Sequence, residues 1–186
     1  MTQEWDWSSL EVLGGTAWPS SRTPRYLERL VAGGPEESHR ARAVLYCEVA
    51  NQGQLYTAAA PCVDFITGHV RAGGRPNTAA LSLLEEILNA RDPGSTVVVD
   101  GRTVDTAAYC RARILEIVPE ILRTANPADP DHFRGVCFLV PQLADSAPQI
   151  LDFLRGHAFG RFVGARKPAL EALEEAEEVV RDGHSP

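Results

Sequence analysis

The sequence predicts an all-α protein built from stacked antiparallel helical hairpins, and three observations support this prediction. Apolar residues recur every three or four positions in several segments, capping residues precede prolines, and glycines separate the segments. The most regular apolar stripe consists of Ala80, Leu83, Leu84, Ile87 and Leu88. Another stripe consists of Ala107, Cys110, Ile114, Ile117 and Ile121. Both stripes follow the period of an amphipathic helix.

Capping residues and glycines set the boundaries of the predicted helices. A capping residue comes directly before a proline at Thr23-Pro24, Gly34-Pro35 and Asp129-Pro130, and Asn77 can cap a helix that starts at Thr78. Stops are marked by Gly33-Gly34, Gly53, Gly73-Gly74 and Pro93-Gly94. The predicted helices span residues 24–32, 36–51, 55–71, 78–90, 105–125, 130–140, 147–157 and 167–181.

Residues 96–104 do not follow the helical period. A β-branched run is joined through Asp100-Gly101 to a second short run, which is typical of a small β-hairpin. An isolated hairpin is marginally stable unless it packs on other elements, so an ordered loop across helix ends is the alternative. Residues 1–22 are expected to form an irregular segment at the start of a single domain that spans residues 1–186.

Three prolines share a local pattern. Pro61, Pro119 and Pro148 are each followed by apolar residues two and then three or four positions later. Pro61 and Pro119 fall inside predicted helices, where the ring removes a hydrogen bond and bends the helix axis. Kinked helices that recur beside straight ones are typical of helical repeats, so a short α-solenoid is expected. The acidic helix 167–181 is expected to cap its C-terminal end.

A polar string interrupts the apolar segments at residues 51–54. Gly53 permits the positive φ that ends a helix, Asn51 and Gln52 can satisfy the last carbonyls, and Tyr56 can pack across the corner. A helical hairpin corner accounts for the string mechanically. The functional alternative is a polar contact site formed by Asn51, Gln52, Gln54 and Tyr56.

The same stretch carries a resemblance to a known family. Residues 51–66 read NQGQLYTAAAPCVDFI and resemble the pattern HQG-x-x-Y-x-A-T-A-x-x-V-P-F-L of bacterial HEAT-like repeat proteins, including those grouped with phycobilin lyases. The matching residues are Gln52, Gly53, Tyr56, Ala58, Ala60, Val63 and Phe65. Asn51 and Asp64 depart from the pattern, because the family often has histidine and proline there. The resemblance implies a HEAT-like α-solenoid that serves as an adaptor or binding module, and it carries over no catalytic residue.

Composition narrows the classes of partner. The net charge of −7 argues against nucleic-acid binding, which needs a basic face, and leaves a basic protein partner as the expectation. The longest uncharged apolar stretches fall well short of the ~20 residues of a membrane span, and no signal-peptide pattern opens the chain. A cytoplasmic protein without a membrane partner is therefore expected. Buried, reduced thiols are expected at Cys47, Cys62, Cys110 and Cys137.

The chain lacks the common catalytic motifs. It contains no G-x-G-x-x-G, G-x-x-x-x-G-K-[ST], G-x-S-x-G or H-E-x-x-H, so no catalytic residue, cofactor or metal is assigned. The run Asp129-Pro130-Asp131-His132 has metal-ligand chemistry, but aspartates around a proline are more typical of a helix start. A Cys110–His132 catalytic pair remains open, although a cysteine on an apolar face is usually inert.

Two charged patches complete the candidates. The stretch LEALEEAEEVV can turn Leu170, Leu173, Ala176 and Val180 to a core while its carboxylates face outward. Those carboxylates, Glu171, Glu174, Glu175 and Glu178, form either a solvated cap or an acidic surface that attracts a basic partner. The smaller patch combines Arg161, Arg166 and Lys167 with Phe159 and Phe162 in a glycine-rich loop over residues 156–167.

The leading hypothesis is a non-catalytic protein-binding module, with an immunity or antitoxin-like role against a basic partner as its specific form. The alternative is a small-ligand-binding protein or an enzyme whose pocket lies between kinked helices, under residues 97–104 and the 156–167 loop. A pocket lined by Tyr56, Tyr109 or Phe162 would favour that alternative. A helical-repeat DNA glycosylase is disfavoured because no basic groove is indicated.

Overall fold

The computed structural model describes residues 5–13 and 23–183, and over these residues the chain is mainly helical, as predicted. The described part contains nine α-helices and one two-stranded antiparallel sheet. The helices are α1 Thr23–Ala32, α2 Pro35–Val49, α3 Ala59–Arg71, α4 Thr78–Asn89, α5 Thr106–Leu115, α6 Val118–Thr124, α7 Pro130–Leu139, α8 Gln149–Ala158 and α9 Val163–Gly183. The strands are β1 Thr96–Val99 and β2 Arg102–Asp105.

The chain divides into two compact units, Met1–Glu116 and Ile117–Pro186. The first unit contains α1 to α5 and the hairpin, and the second contains α6 to α9. The expected organisation as a single domain stays a prediction. None of the described helices is both long and apolar enough to cross a bilayer.

Apolar faces of α1 to α5 form the core of the first unit. Helix α1 packs on α2 and α3, α2 packs on α4, and α5 packs on α3 and α4. Leu27, Leu45, Ile66, Leu84 and Ile114 are fully buried within it. Each such side chain contributes about 2 kcal/mol through its removal from water, so this core holds the helices that support the site described below.

The hairpin expected over residues 96–104 is confirmed, and the loop alternative is excluded. Strand β1 pairs with β2 in the register Thr96↔Asp105, Val97↔Val104, Val98↔Thr103 and Val99↔Arg102. The two turn residues, Asp100 at φ 48° and Gly101 at φ 75°, have the left-handed backbone of a type I′ turn. Val97 is buried, which provides the packing that an isolated hairpin lacks.

In the second unit, α9 packs along α8 and also contacts α7. Its buried face is built from small residues, which allow close approach of the neighbouring helices: Ala165, Ala169, Ala172 and Ala176. Leu173 is buried as predicted, but Leu170 is exposed, so its expected place in the core is wrong. The aromatic rings of Phe133, Phe153 and His157 pack together at centroid distances of 4.6 to 6.1 Å.

The expectation of kinked helices at Pro61 and Pro119 is wrong. Pro61 lies in the first turn of α3, Pro119 is the second residue of α6, and Pro148 comes directly before α8. The first amides of a helix need no intrahelical acceptor, so a proline there costs no hydrogen bond and starts the helix instead of bending it. The shared proline pattern therefore marks helix starts.

Several predicted helix boundaries also differ from the structure. The helix expected over residues 105–125 is divided into α5 and α6 around Glu116 and Ile117. The last helix starts at Val163 and continues through Pro168, so the expected 156–167 loop is a short turn over residues 159–162. In the expected irregular segment 1–22, residues 7–9 form one 3-10 turn, while residues 1–4 and 14–22 lie outside the described residues.

The polar corner after α2 is a 3-10 turn over Asn51–Gly53. Gly53 has the predicted positive φ of 74°, and Gln52 also has a positive φ, of 53°. Backbone amides satisfy carbonyls at the end of α2, because the amide of Ala50 donates to Tyr46 O and the amide of Tyr56 donates to Val49 O. The sequence predicts that the side chains of Asn51 and Gln52 satisfy the last carbonyls of α2, but backbone amides of the turn already bind these carbonyls.

Candidate functional site

The first unit carries a groove of about 750 Å³. One wall is the N-terminal segment at residues 5–11, and the other is the start of the hairpin at residues 93–98. Its lining residues are Trp5, Asp6, Ser9, Leu10, Glu11, Thr57, Pro93, Gly94, Ser95, Thr96, Val97 and Val98. Side chains and amides of helices α3 and α5 hold these two walls in place.

The N-terminal wall is fixed at both ends. At one end the indole Nε1 of Trp5 donates to Asp64 Oδ2 at 3.0 Å, and the Trp5 ring packs edge-on against Tyr109 at 5.9 Å. At the other end the amide of Glu11 donates to Thr57 Oγ1 at 2.6 Å, and the amide of Ala58 donates to Glu11 O at 3.2 Å. A segment without regular structure is thereby held along α3.

The Asp64 carboxylate is the centre of the polar network that anchors this wall. Besides Trp5, it accepts hydrogen bonds from Tyr109 OH at 2.7 Å and from Arg113 Nε at 2.6 Å. The Asp64 side chain is 13% exposed and that of Arg113 is 23% exposed, so the ion pair is partly shielded from water. Burial, together with the hydrogen bond to Asp64, raises the pKa of the Tyr109 hydroxyl well above its usual value.

Glu116 extends this network toward the surface. Arg113 also donates from Nη1 to Glu116 Oε2 at 2.6 Å, and Arg71 pairs with the same carboxylate. Glu116 is close to half exposed, which makes these outer pairs weaker than the Asp64–Arg113 pair. Charges alternate along the network, so each guanidinium lies beside a carboxylate.

Asp92 fixes the hairpin wall. Its Oδ1 accepts from the amides of Gly94 and Ser95 and from Ser95 Oγ, at 2.7 to 2.9 Å, and its Oδ2 accepts from the amide of Ala107 at 3.3 Å. Partial burial opposes ionisation of this carboxyl, but the hydrogen bonds to its charged form prevail and lower its pKa. The carboxylate therefore ties the start of β1 to the start of α5.

Charge distribution gives the groove an acidic character. Asp6 and Glu11 line it, both with exposed side chains, and no lysine or arginine is among its lining residues within the described part of the chain. Trp5 adds an aromatic surface, and Leu10, Val97 and Val98 add apolar area. The groove can therefore accept a ligand that combines positive charge with apolar groups.

The predicted polar contact site lies outside this groove. Asn51, Gln52, Gln54 and Tyr56 remain together at the corner after α2, with Gln52 and Gln54 exposed and Asn51 and Tyr56 partly buried. The corner is tied to residue 91, because the amide of Leu55 donates to Arg91 O at 2.9 Å and the amide of Arg91 donates to Gly53 O at 2.6 Å. Its contacts are those of a structural turn, and a role in binding stays a prediction.

The predicted acidic surface lies on α9 in the second unit. Glu171, Glu174, Glu175 and Glu178 are all exposed, as expected. Lys167 approaches Glu171 at 3.7 Å, and Gln142 Nε2 donates to Glu175 at 2.5 Å. The neighbouring patch also reaches solvent, with Phe159 76% and Phe162 53% exposed.

The metal-like run around His132 forms a helix start. Asp129 Oδ1 accepts from the amide of His132 at 3.3 Å, and Pro130 is the first residue of α7. No group of three or more potential metal-ligand side chains occurs among the described residues. Cys110 belongs to the first unit and His132 to the second, and a catalytic pairing of the two stays an open prediction.

Three of the four cysteines are buried, and Cys47 is exposed, which corrects the expectation for that residue. Burial raises the pKa of the Cys62 and Cys110 thiols well above the usual value and raises that of Cys137 to about 12. A thiol held in its protonated form is a poor nucleophile, so these three side chains act as small apolar core residues.

Sequence reasoning missed the residues that build the groove. Asp64 was noted only as a departure from the HEAT-like pattern, and a carboxylate within an apolar helix stretch is a signal that a partner lies nearby. Asp92 was not singled out, although the pair Asp92-Pro93 before a glycine is typical of a side-chain-capped turn. Trp5 and Glu11 lie in the segment that was expected to be irregular.

Comparison with protein families, with curated proteins and with solved structures finds no match to this chain. The HEAT-like resemblance at residues 51–66 accordingly stays a prediction.

Proposed function

We propose that this chain is a non-catalytic protein-binding module that binds a basic partner. The observation that carries the proposal is the acidic groove of the first unit, in which Asp6 and Glu11 line one wall and no lysine or arginine lines either wall among the described residues. The exposed glutamates of α9 and the net charge of −7 add to the attraction of a basic surface. An immunity or antitoxin-like role, in which the chain masks a basic toxin, is the specific form of this proposal.

A HEAT-like helical repeat is the architecture proposed for the first unit. In such repeats the first helices of successive hairpins pack on one another, and so do the second helices. Contacts of α1 with α3 and of α3 with α5 follow the first pattern, and the contact of α2 with α4 follows the second. These contacts support a short α-solenoid, which presents an extended surface to a partner protein.

The cytoplasm is the proposed location. Free thiols at Cys47, Cys62, Cys110 and Cys137 are typical of proteins kept in a reducing compartment. An intracellular immunity protein would act in the same compartment.

The test is association with a partner captured from the native source on the immobilised full chain and identified by mass spectrometry. We expect a basic protein whose association rate falls severalfold between about 50 and 300 mM salt, because long-range attraction is screened over ~8 Å at physiological ionic strength. Replacing Glu171, Glu174, Glu175 and Glu178 by lysine should slow association further without unfolding the chain, since none of them faces the core. Salt-independent association with a neutral or acidic protein would contradict the proposal.

Small-ligand binding is the second candidate, because the groove volume lies within the range of about 300 to 1,000 Å³ usual for small-molecule sites. The residues expected to line such a pocket, Tyr56, Tyr109 and Phe162, are not among those that line the groove. A thermal-shift screen of small cationic and aromatic compounds separates the candidates. Stabilisation by one compound, without any protein partner, would favour this second function.

A further inference from the structure

The free edge of β1 runs along the acidic groove. Three consecutive residues of β1, Thr96 to Val98, line the groove together with residues 93–95 before them, whereas successive side chains of a strand point to opposite faces. A cavity against one face of β1 would be lined by alternate residues only. No residue of β2 is among the described lining residues, so the groove follows the edge of β1 opposite β2.

The register determines which backbone groups of β1 point into the groove. The two-residue turn makes Val99 and Arg102 a hydrogen-bonded pair, and in an antiparallel ladder every second pair is of this type. The amide of Thr106 donates to Ser95 O at 3.0 Å, which agrees with this alternation. Thr96 and Val98 are consequently the positions whose amide and carbonyl groups point away from β2.

These outward groups are available for a further strand. Within the described residues, no hydrogen bond joins the groove-side backbone of Thr96 or Val98 to another segment. Val98 is 59% exposed, so an apolar residue lies at this edge on the solvent-facing side of β1. An exposed strand edge beside an apolar side chain is the arrangement that accepts an added strand.

We infer that the groove binds an extended basic segment of the partner protein, which adds to the edge of β1 as a third strand. This inference rests on the proposed function and specifies the part of the partner that is recognised. Asp6 and Glu11 line the same groove and give it the negative charge that favours a basic segment. The Trp5 ring also lines the groove and attracts an arginine or lysine over its face.

The expected segment is short and has an alternating pattern. With two outward positions on β1 and ~3.3 Å per strand residue, about four to six residues of the partner fit along the edge. Arginine or lysine at every second position would face the acidic wall, and β-branched residues between them would pack beside Val98. The anchors at Asp64 and Asp92 hold both walls in place, so little ordering cost arises on binding.

The probe for the test is a fluorescein-labelled peptide of about eight residues in which arginine and valine alternate, titrated into the full chain by fluorescence anisotropy. The key variant is Val98→Pro, which removes one amide that points into the groove. Its matched control is Thr103→Pro, because Thr103 faces Val98 in the same non-hydrogen-bonded pair of the hairpin. The amide of Thr103 points away from β1, to the outer edge of β2, so its loss does not affect the groove. Circular dichroism checks that both variants keep the helical fold.

We expect Val98→Pro to weaken peptide binding at least about tenfold, while Thr103→Pro changes it less than about twofold. Glu11→Gln should weaken binding about threefold at physiological salt, and Glu28→Gln, an exposed carboxylate of α1 outside the groove, should leave it unchanged. A peptide N-methylated at every second residue tests the backbone bonds independently of any protein variant. It should bind at least about tenfold more weakly than the unmethylated peptide.

The inference would be overturned if both proline variants lost the same peptide affinity, or if Val98→Pro lost none. It would also be overturned if a peptide of alternating glutamate and valine bound as tightly as the arginine–valine peptide. The inference would also be overturned if the chain dimerised, if Val98→Pro abolished that dimer, and if the peptide did not bind. A captured basic partner that binds Val98→Pro as tightly as the unsubstituted chain would overturn strand addition and leave the proposed function standing. Conversely, edge-specific binding of the peptide together with a captured partner that is acidic would contradict the proposed function alone.

Discussion

Replacement of Asp64 by asparagine should destabilise the first unit, because this carboxylate accepts hydrogen bonds from three donors, on Trp5, Tyr109 and Arg113. Asparagine preserves the volume and one oxygen, so the bonds from Trp5 and Tyr109 can persist in weakened form. It replaces the other oxygen with an NH₂ group that faces Arg113 Nε, and the charge-assisted bond is lost.

The magnitude follows from the environment of the pair. A hydrogen bond to a charged group contributes about 1.5 to 3 kcal/mol, and low exposure of both side chains keeps the value near the middle of that range. Arg113 retains Glu116 at 2.6 Å, so it is not left as an isolated buried charge and the larger cost of such a charge does not arise. We therefore expect a loss of about 2 kcal/mol.

Urea unfolding followed by tryptophan fluorescence is the assay. All three tryptophans, Trp5, Trp7 and Trp18, precede residue 117, so the signal reports on the first unit. Glu116→Gln is the matched control and should cost less than about 1 kcal/mol, since Glu116 is far more exposed than Asp64. A loss below about 0.5 kcal/mol in Asp64→Asn, or additive effects of Asp64→Asn and Arg113→Gln in a double-mutant cycle, would refute the reasoning.

Three further predictions concern the backbone and the titrating groups. Gly53→Val should lower the stability of the first unit by about 1 to 2 kcal/mol in the same urea assay, because the φ of Gly53 is 74° and valine resists that backbone conformation. Gly34→Val, at φ −64° and with equally open space around the glycine, should cost clearly less, and equal costs would exclude the backbone explanation. Stability should fall above about pH 9, by about 1.4 kcal/mol per pH unit for each buried thiol, because the unfolded chain releases protons that the fold retains. Cys62→Ala, measured in reducing buffer, should reduce this slope, and an unchanged slope would contradict the burial of that thiol. Burial lowers the pKa of His157, so its imidazole should titrate below about pH 6.5 in NMR spectra assigned with His157→Gln, and a titration at or above that value would contradict its packing against Phe153.

Elements with local signals were predictable from the sequence. The helix that starts at Thr78 was identified by its cap, and Asn77 Oδ1 does accept from the amide of Ala80 at 2.9 Å. The hairpin was identified by the pair Asp100-Gly101, because few residues adopt two successive left-handed conformations. Information of this kind lies within a few neighbouring residues.

Features that depend on distant partners were not predictable in this way. Residues 55–58 were expected to be helical from their apolar character, but backbone bonds to Arg91 and Glu11 hold them out of α3. These tertiary hydrogen bonds outweigh the weak local preference for helix. The groove was missed for the same reason, because its two walls are separated by more than 80 residues in the sequence and no periodic pattern connects them.

The partners of Asp64 lie 45 to 59 residues away along the chain, in the N-terminal segment and in α5. Contacts of such high sequence separation carry a large loop-closure entropy, so they usually form late during folding, after neighbouring helices have collapsed. Interactions that are absent from the folding transition state govern how fast a protein unfolds and leave its folding rate nearly unchanged. The Asp64 carboxylate would then slow unfolding of the first unit, and so prolong the lifetime of its folded state, with little effect on the folding rate.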